Sequence, residues 1–325
     1  MVLGMGVDMI RSPKKVFITG IAGFIGFHTA LALKKRGDEV RGIDDFNPYY
    51  DPLLKRKRSV LLQEAGILVE ERALNTGLSH AEGTTHFLHL AAQAGVRYSL
   101  ENPFAYLTSN LEGFLHVLEW CRHHPHVPLI YASSSSVYGS NTKTPYSPED
   151  GTDHPVSFYG ATKKCNEIMA ESYHHLFQIP MTALRFFTVY GPWGRPDMAI
   201  WKFTEALLQD KPLHVYSEAT MERDFTYIDD IVAGTIAALD WTQAGHHLFN
   251  LGNHQPAKLS HLISLLEKAT GKQGHKIAYP KPPGDVEKTY ADIKASQHHL
   301  GFTPRTSLEE GVARFVAWYQ LYTRQ

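Results

Sequence analysis

Residues 16–26 read VFITGIAGFIG, and this stretch decides the fold. A short apolar run ends in Gly20, and Gly23 and Gly26 follow in a GxxGxxG spacing. The next residues, FIGFHTALALKKR, repeat apolar side chains at helical intervals, with Gly37 as the stop. Glycines between a strand and a helix let the backbone turn tightly and approach a pyrophosphate, while the helix start supplies amide donors and the positive end of its dipole. The spacing therefore predicts a dinucleotide site at Gly20, Gly23, Phe24, Ile25 and Gly26. EVRGID is the second strand, and it ends at Asp44, 24 residues beyond Gly20. A carboxylate there accepts hydrogen bonds from the adenosine ribose hydroxyls and repels a 2′-phosphate, which favours NAD over NADP. Asp45 is expected to point to the other side.

Outward from this unit the same alternation continues. THFLHLAA, PLIYASSSS and IPMTALRF read as strands, and FAYLTSNLEGFLHVLEWC and FYGATKKCNEIMAESYHHLF as helices. Strand alternating with helix implies parallel pairing through right-handed crossovers. The expected fold class is α/β, a Rossmann-like doubly wound parallel sheet with a smaller, partly interleaved C-terminal substrate lobe. Turn signals multiply after residue 186 (YGPWGRPD, QDKPL, YPKPPGD), with helices expected at 197–209, 229–240, 258–270 and 307–321. The expected division is a flexible leader over 1–13, an NAD-binding domain over 14–185 with a later return near 223–250, and a mainly substrate-binding lobe over 186–325.

Composition narrows the function. The 325 residues are 43% hydrophobic and 20% charged, with a formal net charge of -1, so no global basic field draws the chain to nucleic acid or anionic lipid. No window offers the ~18 apolar residues of a membrane span, and the first residues do not read as a secretory signal. A cytoplasmic protein is expected. The run Lys55-Arg56-Lys57-Arg58 reads as a solvated helix face. Cys121 and Cys165, both in helical stretches, read as reduced thiols. Nineteen histidines occur without HExxH or a Cys-His ligand set, so no metal is expected.

Tyr159 and Lys163 form YxxxK on a helical stretch, and the i, i+4 spacing puts them on one face. A nearby ammonium favours the phenolate and is expected to lower the tyrosine pKa. The tyrosine can then take a proton from a substrate hydroxyl. The strand ending in Ser133-Ser134-Ser135-Ser136 lies about 25 residues earlier, and parallel-sheet geometry brings its end beside the following helix, at the edge where ligands bind.

TGIAGFIG, HLAAQAGVR, YASSSSVYG, YGATK and RFFTVYGPWGRPDMA together resemble the extended short-chain dehydrogenases/reductases that act on nucleotide sugars, the NAD-dependent epimerase/dehydratase family. RDFTYIDDIV and PGDVEKTYADI extend the resemblance to the C-terminus. DDFNPYYDPLLKRKR, AAQAGVRYSLENP and YGPWGRPDMA are most similar to the UDP-glucuronate 4-epimerases within it. The resemblance implies that Tyr159 is the base, Lys163 its electrostatic partner and Ser134 a hydrogen-bonding partner of the oxygen on sugar carbon 4. It implies NAD contacts at Gly20, Gly23, Gly26, Asp44 and Asn47, and a cofactor cleft lined by Leu90, Ala91, Ala92 and Asn110. Arg97 falls in the substrate-side loop, Arg223 matches a diphosphate contact and Asp285 a uridine-side position. Ala73 stands where the family usually carries an adenine-side Asp.

Relatives that eliminate water or release carbon dioxide carry an acid just before VYG. Ser135 and Ser136 occupy that place here, which favours an epimerase interconverting UDP-glucuronate and UDP-galacturonate through a transient 4-keto sugar. Such an enzyme must hold the substrate carboxylate out of alignment with the ketone. Ser135, Ser136 and Thr188 are the expected hydroxyl donors, and Arg195 adds charge or organises the lobe. The alternatives are a UDP-glucose 4-epimerase, a UDP-glucuronate decarboxylase and a non-catalytic NAD-binding scaffold. The family implies a homodimer through the helices at 104–124 and 158–176.

Overall fold

The computed structural model describes residues 12–324, so most of the leader expected over residues 1–13 lies outside the described residues. Among the described residues the central sheet has seven strands: β1 (Lys15–Thr19), β2 (Glu39–Asp44), β3 (Leu68–Glu71), β4 (His86–His89), β5 (Leu129–Ser134), β6 (Met181–Phe186) and β7 (His246–Leu251). Their order is β3-β2-β1-β4-β5-β6-β7, and every neighbouring pair is parallel. This is the doubly wound α/β fold. The order reverses between β1 and β4, which opens a crevice at the carboxyl ends of those two strands.

Apolar residues fill both faces because helices cover both faces of a parallel sheet. Alternate side chains of one strand serve opposite layers. Ile18, Leu88, Ile130 and Leu184 pack in one layer with Phe27, Ala30 and Leu33 of α1 (Phe24–Lys35). Phe17, Phe87, Leu129 and Ala183 pack in the other with Phe114, Val117 and Leu118 of α3 (Gly113–His123) and Ala170 of α4 (Phe158–Phe177). After β6 the chain builds a three-stranded sheet from Thr188–Tyr190, Glu222–Tyr227 and Pro256–Lys258, and a two-stranded one from Leu213–Tyr216 and Lys276–Tyr279. Between these it returns, and β7 completes the central sheet beside β6.

Two sequence expectations need correction. The helix expected from residue 104 is α over Pro103–Tyr106, π over Leu107–Glu112 and α again from Gly113. The wider turn carries Asn110 inward, where its side chain bonds the backbone of Gln93 in both directions. Nor is the run Lys55–Arg58 of α2 (Pro52–Glu64) a solvated face. Arg58 is fully buried and Lys55 nearly so, Arg56 pairs with Glu71 and lies over the Phe46 ring, and Lys57 lies over Tyr322. Among the described residues no helix is long and apolar enough to cross a membrane, and no group of three or more His, Cys, Asp or Glu side chains is placed to hold a metal ion.

Candidate active site

A single cleft runs from the Gly20–Gly26 loop, over the ends of β1, β4 and β5, to the loops of the second lobe. At its nucleotide end, Gly20 adopts φ +71°, and a Cβ there would stand 2.7 Å from the Ala91 amide nitrogen. The close approach of these two turns needs a residue without a side chain. Helix α1 begins with no capping side chain and no acidic residue in its first turn, so its amide donors and positive dipole end face the cleft without an internal anion. Asp44, buried at the end of β2, accepts from the amides of Ala22 (3.1 Å) and Phe46 (2.9 Å). Burial raises its pKa, while Lys55 at 3.7 Å and the Phe46 amide oppose the rise. Phe24, Ile25, Asn47, Leu90, Ala91 and Ala92 line the same end, with Ala73 and Asn75 beside them. Asn110 does not line the cleft. Its amide is spent on Gln93 and Thr162, so it shapes the turn after β4 from behind.

At the other end, Ser134, Tyr159 and Lys163 line one wall. Ser157 caps α4 by accepting from the Gly160 amide at 3.0 Å. A Cβ on Gly160 would lie 2.6 Å from the Ser136 carbonyl oxygen, so the glycine after Tyr159 lets the helix start rest directly on the serine turn. The Ser134 hydroxyl accepts from the Ser136 amide at 3.1 Å, which directs its own proton elsewhere.

The electrostatics differ from the expectation that Lys163 lowers the Tyr159 pKa. Burial raises the phenol, and the groups that pull it down are the Ser134 side chain and the Arg195 charge. Lys163 instead donates to the Ala132 carbonyl at 3.0 Å, and burial pushes its own pKa down to about 8. Tyr159 and Lys163 share a helix face, but the ammonium is turned onto the end of β5.

The substrate-side candidates are only partly brought together. Ser135, Ser136, Thr188, Arg195, Arg223 and Asp285 line the cleft. Arg223 donates to Asp285 at 2.7 Å, so those two form an ion pair. Arg97 is not on the wall. It sits at the rim, half exposed, 3.5 Å from Asp285 and over the Tyr216 ring.

Two buried charges escaped sequence reasoning. The Arg58 guanidinium donates to the Ala22 carbonyl of the glycine loop (3.0 Å) and to the carbonyls of Trp193 (2.5 Å) and Gly194 (3.1 Å), tying the nucleotide loop to the loop that carries Arg195. Arg185 of β6 makes a two-pronged pair with Glu167 of α4 at 2.8 Å, and Glu167 also accepts from Ser133 at 2.6 Å. A charge inside the otherwise uncharged, fully buried run MTALRF is the readable signal, because a buried arginine needs partners. Arg58 carried no such signal, since basic residues on a helix ordinarily face water.

Residues 16–252 match the model of the NAD dependent epimerase/dehydratase family. The chain belongs to that family. UDP-glucuronate 4-epimerase 4 of Arabidopsis thaliana is 47% identical over 94% of this chain and 75% of its own. Protein CapI of Staphylococcus aureus is 43% identical over 96% of this chain and 100% of its own. Among solved structures, UDP-glucuronic acid 4-epimerase from Bacillus cereus, in complex with UDP-glucuronic acid and NAD, superposes with a TM-score of 0.89 at 35% identity, covering 94% of this chain and 99% of that one. The family's dinucleotide fits the residues present. The glycine cradle leaves no room for a Cβ, the first turn of α1 offers donors without a competing acid, and Asp44 places a carboxylate at the ribose end.

Proposed function

We infer that this chain interconverts UDP-glucuronate and UDP-galacturonate by oxidation and reduction at sugar carbon 4. The observation that carries the reading, beside the relatives, is the absence of an acid where elimination or decarboxylation would need one. Among the described residues lining the cleft, the carboxylates are Asp44, Asp45 and Asp285, and the turn after β5 offers hydroxyls alone. The Gly20–Gly26 loop and Asp44 would hold NAD, which would supply a reversible hydride acceptor for carbon 4. Tyr159 holds and moves the proton of the carbon-4 hydroxyl, and Ser134 donates to the same oxygen. The Lys163 ammonium, held on the Ala132 carbonyl, supplies positive charge on the same wall. Ser135, Ser136 and Thr188 bind the sugar carboxylate through hydroxyls, which orient it without protonating the adjacent carbon, and Arg195 on the same wall adds positive charge to it. Arg223 receives the diphosphate. Residues 14–185, with the return through β7, form the NAD-binding part, and most of 186–325 the UDP-sugar part.

The test is to incubate the protein with UDP-glucuronate and follow products by NMR. UDP-galacturonate at equilibrium with substrate is expected. UDP-xylose as the main product would overturn the reading, and conversion of UDP-glucose but not UDP-glucuronate would replace it with a UDP-glucose 4-epimerase.

We also propose a homodimer through α3, α4 and the segment before α3. Phe104 is 75% exposed, Leu176 63% and Ile168 57%, an unusual density of large apolar side chains for helices that face water. Light scattering should give twice the chain mass, and Ile168→Glu should reduce it to one chain.

A further inference from the structure

Arg195 is already committed to a partner. Its Nε donates to Asp197 Oδ1 at 2.9 Å and its Nη2 to Oδ2 at 2.5 Å, so the side-on edge of the guanidinium is filled. Asp197 Oδ2 also accepts from the Tyr49 hydroxyl at 3.2 Å. Arg195 and Tyr49 line the cleft, whereas Asp197 stands behind them. The side chains of Arg195 and Asp197 are 24% and 20% exposed, so water screens the pair only in part. The pair is near enough to the reacting centre that Arg195 and Asp197 pull the Tyr159 phenol in opposite directions.

We propose that Asp197, oriented by Tyr49, is an internal counterion that limits how tightly Arg195 can hold the sugar carboxylate, and so lets the keto-sugar turn over between its two hydride-transfer poses. This rests on the epimerase reading above. A guanidinium grips a carboxylate most strongly through two parallel N–H bonds. Asp197 occupies the Nε/Nη2 edge, one of the two edges that can make such a grip, and its own charge repels a second carboxylate at the other. The substrate therefore meets a cation that is already neutralised, held in one place by a loop from each lobe. An epimerase has to present both faces of carbon 4 in one site, and a carboxylate pinned by two strong bonds would resist that rotation. Tyr49 is a positioning residue in this arrangement. It touches Asp197 from the loop after β2, the segment that also carries Asp44 and Asn47.

The test uses NAD-loaded protein, with Asp197→Asn removing the charge at nearly constant size and Tyr49→Phe removing only the hydroxyl. Binding is measured calorimetrically in a Tyr159→Phe background, with UDP-glucuronate and with UDP-glucose, which lacks the carboxylate. Asp197→Asn should tighten UDP-glucuronate about three- to tenfold and leave UDP-glucose within about twofold, because an anion competing for the arginine has been removed. With Tyr159 intact, KM should fall together with kcat, the latter by about tenfold. Tyr49→Phe should move UDP-glucuronate the same way by about twofold. Unchanged affinity, or equal weakening of both nucleotides, overturns the counterion role. If Asp197→Asn does not fold, Tyr49→Phe decides: tighter UDP-glucuronate binding supports the proposal and unchanged or weaker binding overturns it. Wild-type protein that leaves UDP-glucuronate unconverted sinks the activity itself, whereas normal wild-type conversion with unmoved binding in the variants sinks the counterion role alone.

Discussion

At the nucleotide end of the cleft, one continuous stretch from Thr19 to Gly26 supplies the turn, the helix start and the close approach to Ala91, and most of what it offers is backbone. At the sugar end, Ser134, Tyr159, Thr188, Arg195 and Arg223 arrive from the end of β5, the start of α4 and three separate parts of the second lobe. The first site takes its turn and its amide donors from β1 and α1, and Asp44 at the end of β2 and the Leu90–Ala92 turn after β4 complete it. The second needs five segments held in register, and what holds them is a set of buried polar contacts lying behind the wall. Arg58 joins the two ends, since its one guanidinium bonds both the glycine loop and the loop before Arg195.

The largest effect that would sharpen this contrast is expected from Tyr159→Phe. It should cut turnover roughly 10²–10⁴-fold, the range of a positioned acid-base group, while NAD content after purification stays the same. Loss of NAD along with turnover would mean that the two ends are not separable. Arg58→Met should strike both ends together. The carbonyls of Ala22, Trp193 and Gly194 each lose a donor, and a buried unsatisfied acceptor costs about 1–3 kcal/mol. NAD retention and the KM for UDP-glucuronate should both worsen by roughly tenfold, and the melting temperature should fall by several degrees. A variant that loses one and keeps the other would show that the loops are not coupled through Arg58. The smallest effect concerns Lys163, whose pKa is lowered to about 8 by burial. Between that value and the ordinary lysine value the unfolded chain binds the proton that the folded chain has released. Stability should therefore gain from this group as pH rises above 8, by no more than roughly 3 kcal/mol in total. Denaturant titrations at pH 7.5 and 9.5 should show the gain in wild type and a smaller one in Lys163→Met. Equal slopes would mean that the ammonium is better solvated than its contact with the Ala132 carbonyl implies.

Legibility along the chain followed the same division. The glycine spacing, Asp44 and the YxxxK pair could be read because each is a relation between near neighbours on one element or one strand–helix unit. The placement of β7 at the sheet edge could be anticipated only as a return of the chain, since register depends on what β6 leaves open. Asn110 lies behind the cleft wall because a π turn rotates it inward, and nothing in FAYLTSNLEGF marks where the helix widens. The spacing of α2 makes Arg58 look solvated, because its packing against two distant carbonyl-rich loops leaves no trace there. The expected pull of Lys163 on Tyr159 failed for a related reason. Helical spacing places two side chains on one face, but the direction of each beyond Cβ is set by the partners it finds, and Lys163 finds the Ala132 carbonyl.

What the residues alone determined was the doubly wound sheet, the glycine turn at the start of α1 and the meeting of Ser134, Tyr159 and Lys163 on one wall, because periodicity, glycine geometry and i, i+4 spacing act over a few residues. Only the tertiary structure decided which charges face the cleft as charges. Whether Arg195 meets a substrate as a bare cation, or as half of a pair with Asp197 held by Tyr49, depends on loops about 150 residues apart coming within a hydrogen bond of each other. Burial then sets how strongly those charges are felt, and burial is a property of the assembled fold.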